Sequence, residues 1–91
     1  MRLSNRIRKE LSPSHKLKKA CINVGGTVEI DYDSKSVTCK LPSGSKITIT
    51  GDYFVDLKYP NGKEISFDAV IDVAPLHKTI AVKTIDGDYV L

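Results

Sequence analysis

Tryptophan is absent from this 91-residue sequence, and so is any uninterrupted apolar run longer than three residues. A membrane-spanning helix needs about 20 apolar residues, so none is predicted. The basic start is not followed by the apolar segment of about seven or more residues that a secretory signal peptide requires. We therefore expect the protein to act where it is made, in the cytoplasm or as part of a virion, and not to be secreted.

Cysteine and histidine are scarce, with two residues of each. A disulfide framework in so small a chain normally uses four or more cysteines, and a zinc site needs Cys or His ligands at short spacing. Cys21 and Cys39 have no such neighbours, so the sequence predicts two reduced structural thiols, with no metal and no cofactor. A single Cys21–Cys39 bridge is the alternative, and it would require an oxidising compartment.

Catalytic patterns are also missing. Acid–base or nucleophilic catalysis needs a base within reach of a nucleophile or a second carboxylate. His15 and His77 follow no such spacing, and paired acids such as Asp86 and Asp88 are typical of the solvated face of a strand. The sequence therefore predicts a protein that is not an enzyme.

Charge is unevenly distributed along the chain. Residues 1–20 carry seven of the fourteen Lys and Arg residues against one acid, which amounts to +6, whereas residues 21–91 carry the other seven against ten acids, or −3. These charges sum to the net +3 of the whole chain. We therefore divide the protein into a basic N-terminal arm, residues 1–20, and a single β-domain, residues 21–91.

The arm has the pattern of a short amphipathic helix. Leu3, Ile7 and Leu11 are four residues apart and would lie along one side of it. Pro13 disfavours helical geometry at the preceding residue, so this helix should end near Leu11, with a hinge at Ser12-Pro13-Ser14. Two turns of helix are too short to be stable alone in water, so the arm must dock onto something.

The second half of the arm continues into the β-domain. Residues 15–24 could form a short helix begun by Ser14 or an extended strand, and periodicity does not separate the two. In either case, Leu17, Ala20 and Ile22 are the residues predicted to be buried.

Four hypotheses compete for the arm. The favoured one is docking onto another protein or protomer through Leu3, Ile7 and Leu11. The arm could instead pack on its own β-domain, lie on an anionic membrane surface, or bind nucleic acid. The last two are weaker because the arm contains no aromatic residue. Contacts with phosphates or an acidic surface would come from seven cations: Arg2, Arg6, Arg8, Lys9, Lys16, Lys18 and Lys19.

Apolar and polar residues alternate with period two from Gly25 onward, in segments rich in β-branched and aromatic residues. Turn sequences separate these segments, and Asn61-Gly62 is the strongest hairpin signal. The pattern predicts six or seven short antiparallel strands in a small β-barrel or β-sandwich. Several strand residues are predicted to face the core: Val28, Ile30, Val37, Cys39, Ile47, Ile49, Val55, Leu57 and the tyrosines Tyr32, Tyr53, Tyr59 and Tyr89.

Two segments of the β-domain are less regular. Residues 64–73 are predicted to form one long strand with Ile71 facing the core and Val70 facing outward. Phe54 shares the outer face of its strand with charged residues, which makes it a candidate inter-subunit contact. A bulge near Gly51 that turns Phe54 inward is an equally good interpretation.

Taken together, these patterns favour a non-enzymatic structural module whose β-domain docks through its basic arm onto neighbouring subunits of a larger assembly, such as a virion or another particle. The apolar segment 89–91 forms an open sheet edge that favours a homo-oligomer. The alternative function is a nucleic-acid-binding small β-barrel whose arm contacts phosphates.

Overall fold

The computed structural model describes residues 12–91, and this part of the chain contains one α-helix and eight β-strands. The elements follow the order of the chain without long connections. They are α1 (Pro13–Asn23), β1 (Thr27–Asp31), β2 (Ser36–Lys40), β3 (Lys46–Thr50), β4 (Phe54–Lys58), β5 (Glu64–Phe67), β6 (Val70–Leu76), β7 (Thr79–Thr84) and β8 (Gly87–Val90).

The strands form two antiparallel sheets, one of five strands in the order β1-β2-β3-β4-β5 and one of three in the order β6-β7-β8. Neither sheet closes on itself, so the fold is sandwich-like and the barrel alternative is wrong. The mainly β, hairpin-connected architecture is confirmed. The additional strand arises because the segment predicted as one long strand is divided between the two sheets.

One core contains buried residues of α1 and of both sheets. Strand register aligns apolar residues in rows on the inner face of the five-stranded sheet, because side chains of one face recur at every second position. The pairing of β2, β3 and β4 defines two such rows. One contains Val37, Ile49 and Val55, and the next contains Cys39, Ile47 and Leu57. All six residues are buried, as the alternation predicts.

The helix α1 is capped by Ser12, whose hydroxyl accepts a hydrogen bond from the His15 backbone N–H at 3.3 Å. Pro13 occupies the first turn, where its missing N–H and fixed φ are favourable. The helical alternative for the second half of the arm is therefore confirmed, although the cap is Ser12 rather than Ser14. Pro13 and Ser14 lie in the first turn of α1, so the predicted hinge does not extend over them.

The buried side of α1 differs from the prediction in one residue. Leu17 and Ala20 are buried as expected, but Ile22 is 71% exposed and Cys21 takes its place in the core. The helix packs against β6 and β2, so its inner side faces both sheets. Residue 22 lies about 100° around the helix from residue 21, which turns it toward solvent.

Cys21 of α1 and Cys39 of β2 form a disulfide, with 5.8 Å between their Cα atoms. The expectation of two reduced thiols is therefore wrong. The pairing depends on how α1 crosses the sheet, which sequence spacing does not reveal. Gly26 lies directly against the bridge: a Cβ there would stand 2.7 Å from the Cys21 Sγ and 2.9 Å from the Lys40 carbonyl oxygen.

The chain passes from one sheet to the other between β5 and β6, and a register shift between Val70 and Asp72 reverses the alternation there. As a result, Val70 is buried and Ile71 is 57% exposed, opposite to the predicted orientations. Two of the four tyrosines also differ from expectation. Tyr32 and Tyr53 are exposed because they lie in hairpin loops beyond the ends of their strands.

Candidate docking site at the start of the helix

An open groove of about 590 Å³ lies between the first turn of α1 and two hairpin loops of the five-stranded sheet, residues 32–35 and 51–53. We call it the helix-start groove. Ser12 stands on one side of it, and Ile30 and Tyr32 stand on the other. Ser12 directly follows Leu11, so the first eleven residues of the chain join the described structure at this groove.

Hydrogen bonds hold the walls of the helix-start groove in place. The Ser14 backbone N–H donates to the Asp52 carboxylate at 3.3 Å, which ties the helix to the second loop. The Gly51 N–H donates to the Lys35 carbonyl oxygen at 3.0 Å, which ties the two loops together. The groove is therefore bounded by connected backbone rather than by independent loops.

Apolar surface is left open in the groove. Ile30 pairs with Val37 and belongs to the inner face of the sheet, yet it is 42% exposed because β1 is an edge strand that α1 covers only in part. Tyr32 projects beside it and is 81% exposed. Both residues were predicted to face the core. Because residues assigned to the core are not considered as binding surface, the sequence pattern did not reveal the groove.

The charges that line the groove are mixed. Lys18 and Lys35 contribute two cations, and Asp31 and Asp52 contribute two carboxylates. The two carboxylates also accept hydrogen bonds from nearby backbone N–H groups. A balanced set of charges beside exposed apolar side chains suits a protein segment better than a polyanion.

An ion pair fixes α1 to the smaller sheet. The Lys16 ammonium donates a hydrogen bond to the Asp72 carboxylate of β6 at 2.7 Å. This contact holds the pKa of the Asp72 carboxyl below its usual range, against a smaller opposing effect of burial; the Val73 backbone N–H also lowers the pKa. Together with the disulfide, the pair attaches α1 to both sheets.

We expect Lys16→Gln to raise the pKa of Asp72 toward the ordinary value of about 3.9. It should lower the free energy of unfolding by at most about 1 kcal/mol, because both side chains are partly exposed. The folded pKa of Asp72 lies below its unfolded value. The contribution of the pair is therefore present above the unfolded pKa and is lost as pH falls through the folded pKa.

NMR titration of the Asp72 carboxyl, together with urea unfolding above and below about pH 4, measures both quantities. Lys19→Gln is the matched control, because it removes a cation from the same helix without removing the hydrogen bond to Asp72. An unchanged Asp72 pKa in Lys16→Gln would contradict the described contact.

The predicted docking and phosphate-contact residues fall into two groups. One group lies outside the described residues: Leu3, Ile7, Leu11, Arg2, Arg6, Arg8 and Lys9. Of the others, Lys16 is engaged by Asp72, Lys18 lines the helix-start groove and Lys19 is exposed. Phe54 is 40% exposed and pairs with Thr50 on the outer face of the sheet, so the alternative of an inward Phe54 is wrong. The structure does not bring Phe54 to the groove.

Across residues 12–91, no group of three or more His, Cys, Asp or Glu side chains is arranged to hold a metal ion. No helix within the same range is long and apolar enough to cross a membrane. Comparison of the chain with known proteins finds no matching family model, no matching curated protein and no matching solved structure.

Proposed function

We propose that the protein is a non-enzymatic structural module that docks through its basic arm onto neighbouring subunits of a larger assembly. The observation that carries this proposal is the attachment of α1, which is capped by Ser12 and is held by buried packing, a disulfide and an ion pair. Residues 1–11 therefore leave the β-domain from a fixed point. If a neighbouring subunit bound residues 1–11, α1 would connect the bound segment to both sheets.

The surroundings of that point support docking onto protein. The helix-start groove exposes Ile30 and Tyr32 where residues 1–11 begin, and exposed apolar surface marks interaction sites. The cations of the arm support nucleic-acid binding less than their number suggests. Lys16 is already paired with Asp72. The groove beside Lys18 carries as many carboxylates as ammonium groups. Protein docking through Leu3, Ile7 and Leu11 remains the better hypothesis.

The disulfide bears on where such an assembly would function. Disulfides persist in oxidising surroundings, including virion and cell surfaces, and are rare in the reducing cytosol. Of the two locations expected from the sequence, a virion or another particle outside the cytosol agrees better with the Cys21–Cys39 bridge.

Two variants of the 91-residue chain separate protein docking from phosphate binding. The apolar-arm variant combines Leu3→Ser, Ile7→Ser and Leu11→Ser, and the charge-arm variant combines Arg2→Gln, Arg6→Gln, Arg8→Gln and Lys9→Gln. Size-exclusion chromatography with light scattering measures assembly, and salt titration of binding to generic DNA and RNA measures phosphate contacts.

If the proposal holds, the wild-type protein forms species larger than the apolar-arm variant does, and the charge-arm variant assembles like the wild type. Equal masses for the wild type and the apolar-arm variant would contradict docking through these residues. Nucleic-acid binding that weakens steeply with salt and is lost in the charge-arm variant would support the alternative function instead.

A further inference from the structure

Among the strands of residues 12–91, β8 is one edge of the three-stranded sheet and pairs only with β7. Leu91 continues its ladder, because the backbones of Ile80 and Leu91 exchange hydrogen bonds of 3.2 and 3.0 Å. Such pairs alternate along antiparallel strands, so Tyr89 and Gly87 also turn their backbone groups toward β7. Asp88 and Val90 therefore present their N–H and C=O groups at the free edge.

The opposite edge of the same sheet is protected. In β6, Pro75 has no N–H to donate, and the register shift between Val70 and Asp72 interrupts the strand. Proline and irregular register are common ways to prevent an edge strand from pairing with another chain. The strand β8 has neither, and the Val90 side chain on it is 50% exposed.

We propose that β8 pairs antiparallel with β8 of a second copy of this chain, around a two-fold axis at Tyr89. This register places Asp88 of each copy opposite Val90 of the other, so the outward backbone groups of both residues meet as hydrogen-bonded pairs. A two-fold axis at Asp88 would instead set two carboxylates directly opposite each other, which is destabilising. A shift by one residue would bring together backbone groups that point in different directions.

Pairing at β8 extends the three-stranded sheet of each copy into one six-stranded sheet. It uses a surface that shares no residue with the arm, so it goes beyond the proposed function and is independent of it. A two-fold dimer of this kind would carry two copies of residues 1–11, and each copy would join the described structure at its own helix-start groove.

Val90→Pro tests the pairing directly. The Val90 N–H points away from β7, so proline there removes a hydrogen bond between copies without removing one from the β7–β8 ladder, as is tolerated on edge strands. Val90→Thr is the matched control because it keeps the N–H and a β-branched side chain. These variants are compared in the apolar-arm background, which removes docking through the arm. There we expect sedimentation velocity to show a dimer for the unchanged Val90 and for Val90→Thr, and a single copy for Val90→Pro, with unchanged far-UV circular dichroism.

Val90→Lys provides a second test that leaves every backbone group in place and puts a charge on the edge, where it disfavours pairing. In the apolar-arm background it should also lower the mass to that of one copy, and amide exchange at Asp88 and Val90 should become fast. An apolar-arm variant that is monomeric at all concentrations would overturn the inference. So would a Val90→Lys change that leaves the apolar-arm variant dimeric, whether or not Val90→Pro folds.

The apolar-arm variant separates this inference from the proposed function. If β8 joins the copies, the apolar-arm variant remains a dimer, and only its higher assemblies are lost. If the apolar-arm variant is a monomer and Val90→Lys is still a dimer, the arm alone joins the copies. That result overturns pairing at β8 and leaves the proposed function intact.

Discussion

Loss of the Cys21–Cys39 disulfide is expected to lower the free energy of unfolding by about 3 kcal/mol. The bridge joins residues 18 positions apart, so its removal releases a loop whose closure restricts the unfolded chain. A domain of this size has a total stability near the lower end of the usual range of about 5–15 kcal/mol. The bridge should therefore account for a large share of it.

Urea unfolding of the wild-type protein, oxidised and then fully reduced, measures this difference without changing the sequence. The double variant Cys21→Ala, Cys39→Ala gives a second estimate, and reductant should not shift its unfolding midpoint. Both sulfurs are fully buried, so reduction should be carried out in denaturant and verified by thiol-specific mass labelling before refolding. Equal midpoints for the oxidised and reduced wild type would contradict the expected role of the bridge.

The disulfide also holds α1, the helix that follows residues 1–11, on the five-stranded sheet. Its loss should increase amide exchange in α1 more than in β3 and β4, because those strands keep their neighbours in the sheet. If the arm docks as proposed, the reduced protein should then bind its neighbours less tightly even under conditions where the sheets remain folded. Reduction of this one bond would thus lower both the free energy of unfolding and the affinity for neighbouring subunits.

The sequence predicted the parts of the fold that depend on neighbouring residues. The alternation that buries Val37, Cys39 and Leu57 is local, and so is the turn at Asn61-Gly62. In that turn the Lys63 N–H donates to the Asn61 side-chain oxygen at 2.9 Å, and Gly62 adopts a positive φ of 94°. Short-range patterns of this kind identify strands and hairpins before any tertiary contact is known.

The candidate site depended on contacts that such patterns do not contain. Ile30 has the periodicity of a core residue, but it lies on an edge strand that α1 covers only in part. The position of Cys21 next to Cys39 follows from the path of α1 across β2. In the same way, the exposure of Ile71 follows from the passage between sheets, where the register shifts. Each of these features is set by long-range packing.

Leu17→Ala should lower the free energy of unfolding by about 2–5 kcal/mol, because it leaves a cavity where α1 meets the two sheets. Leu17 is fully buried, and the core around it includes residues from both sheets. For a domain of this length, the loss corresponds to a decrease in Tm of about 10 °C or more. Calorimetry and urea unfolding of the full-length protein measure it.

Ile22→Ala is the matched control, since it shortens an aliphatic side chain on the same helix at a position that is mostly exposed. Its effect should remain within about 0.5 kcal/mol. The pair tests the orientation of α1, because periodicity alone assigned both residues to the core. Similar losses for the two variants would mean that α1 does not pack as described. Residues 1–11 would then not precede a firmly attached helix, and the proposed docking through the arm would lose the observation that carries it.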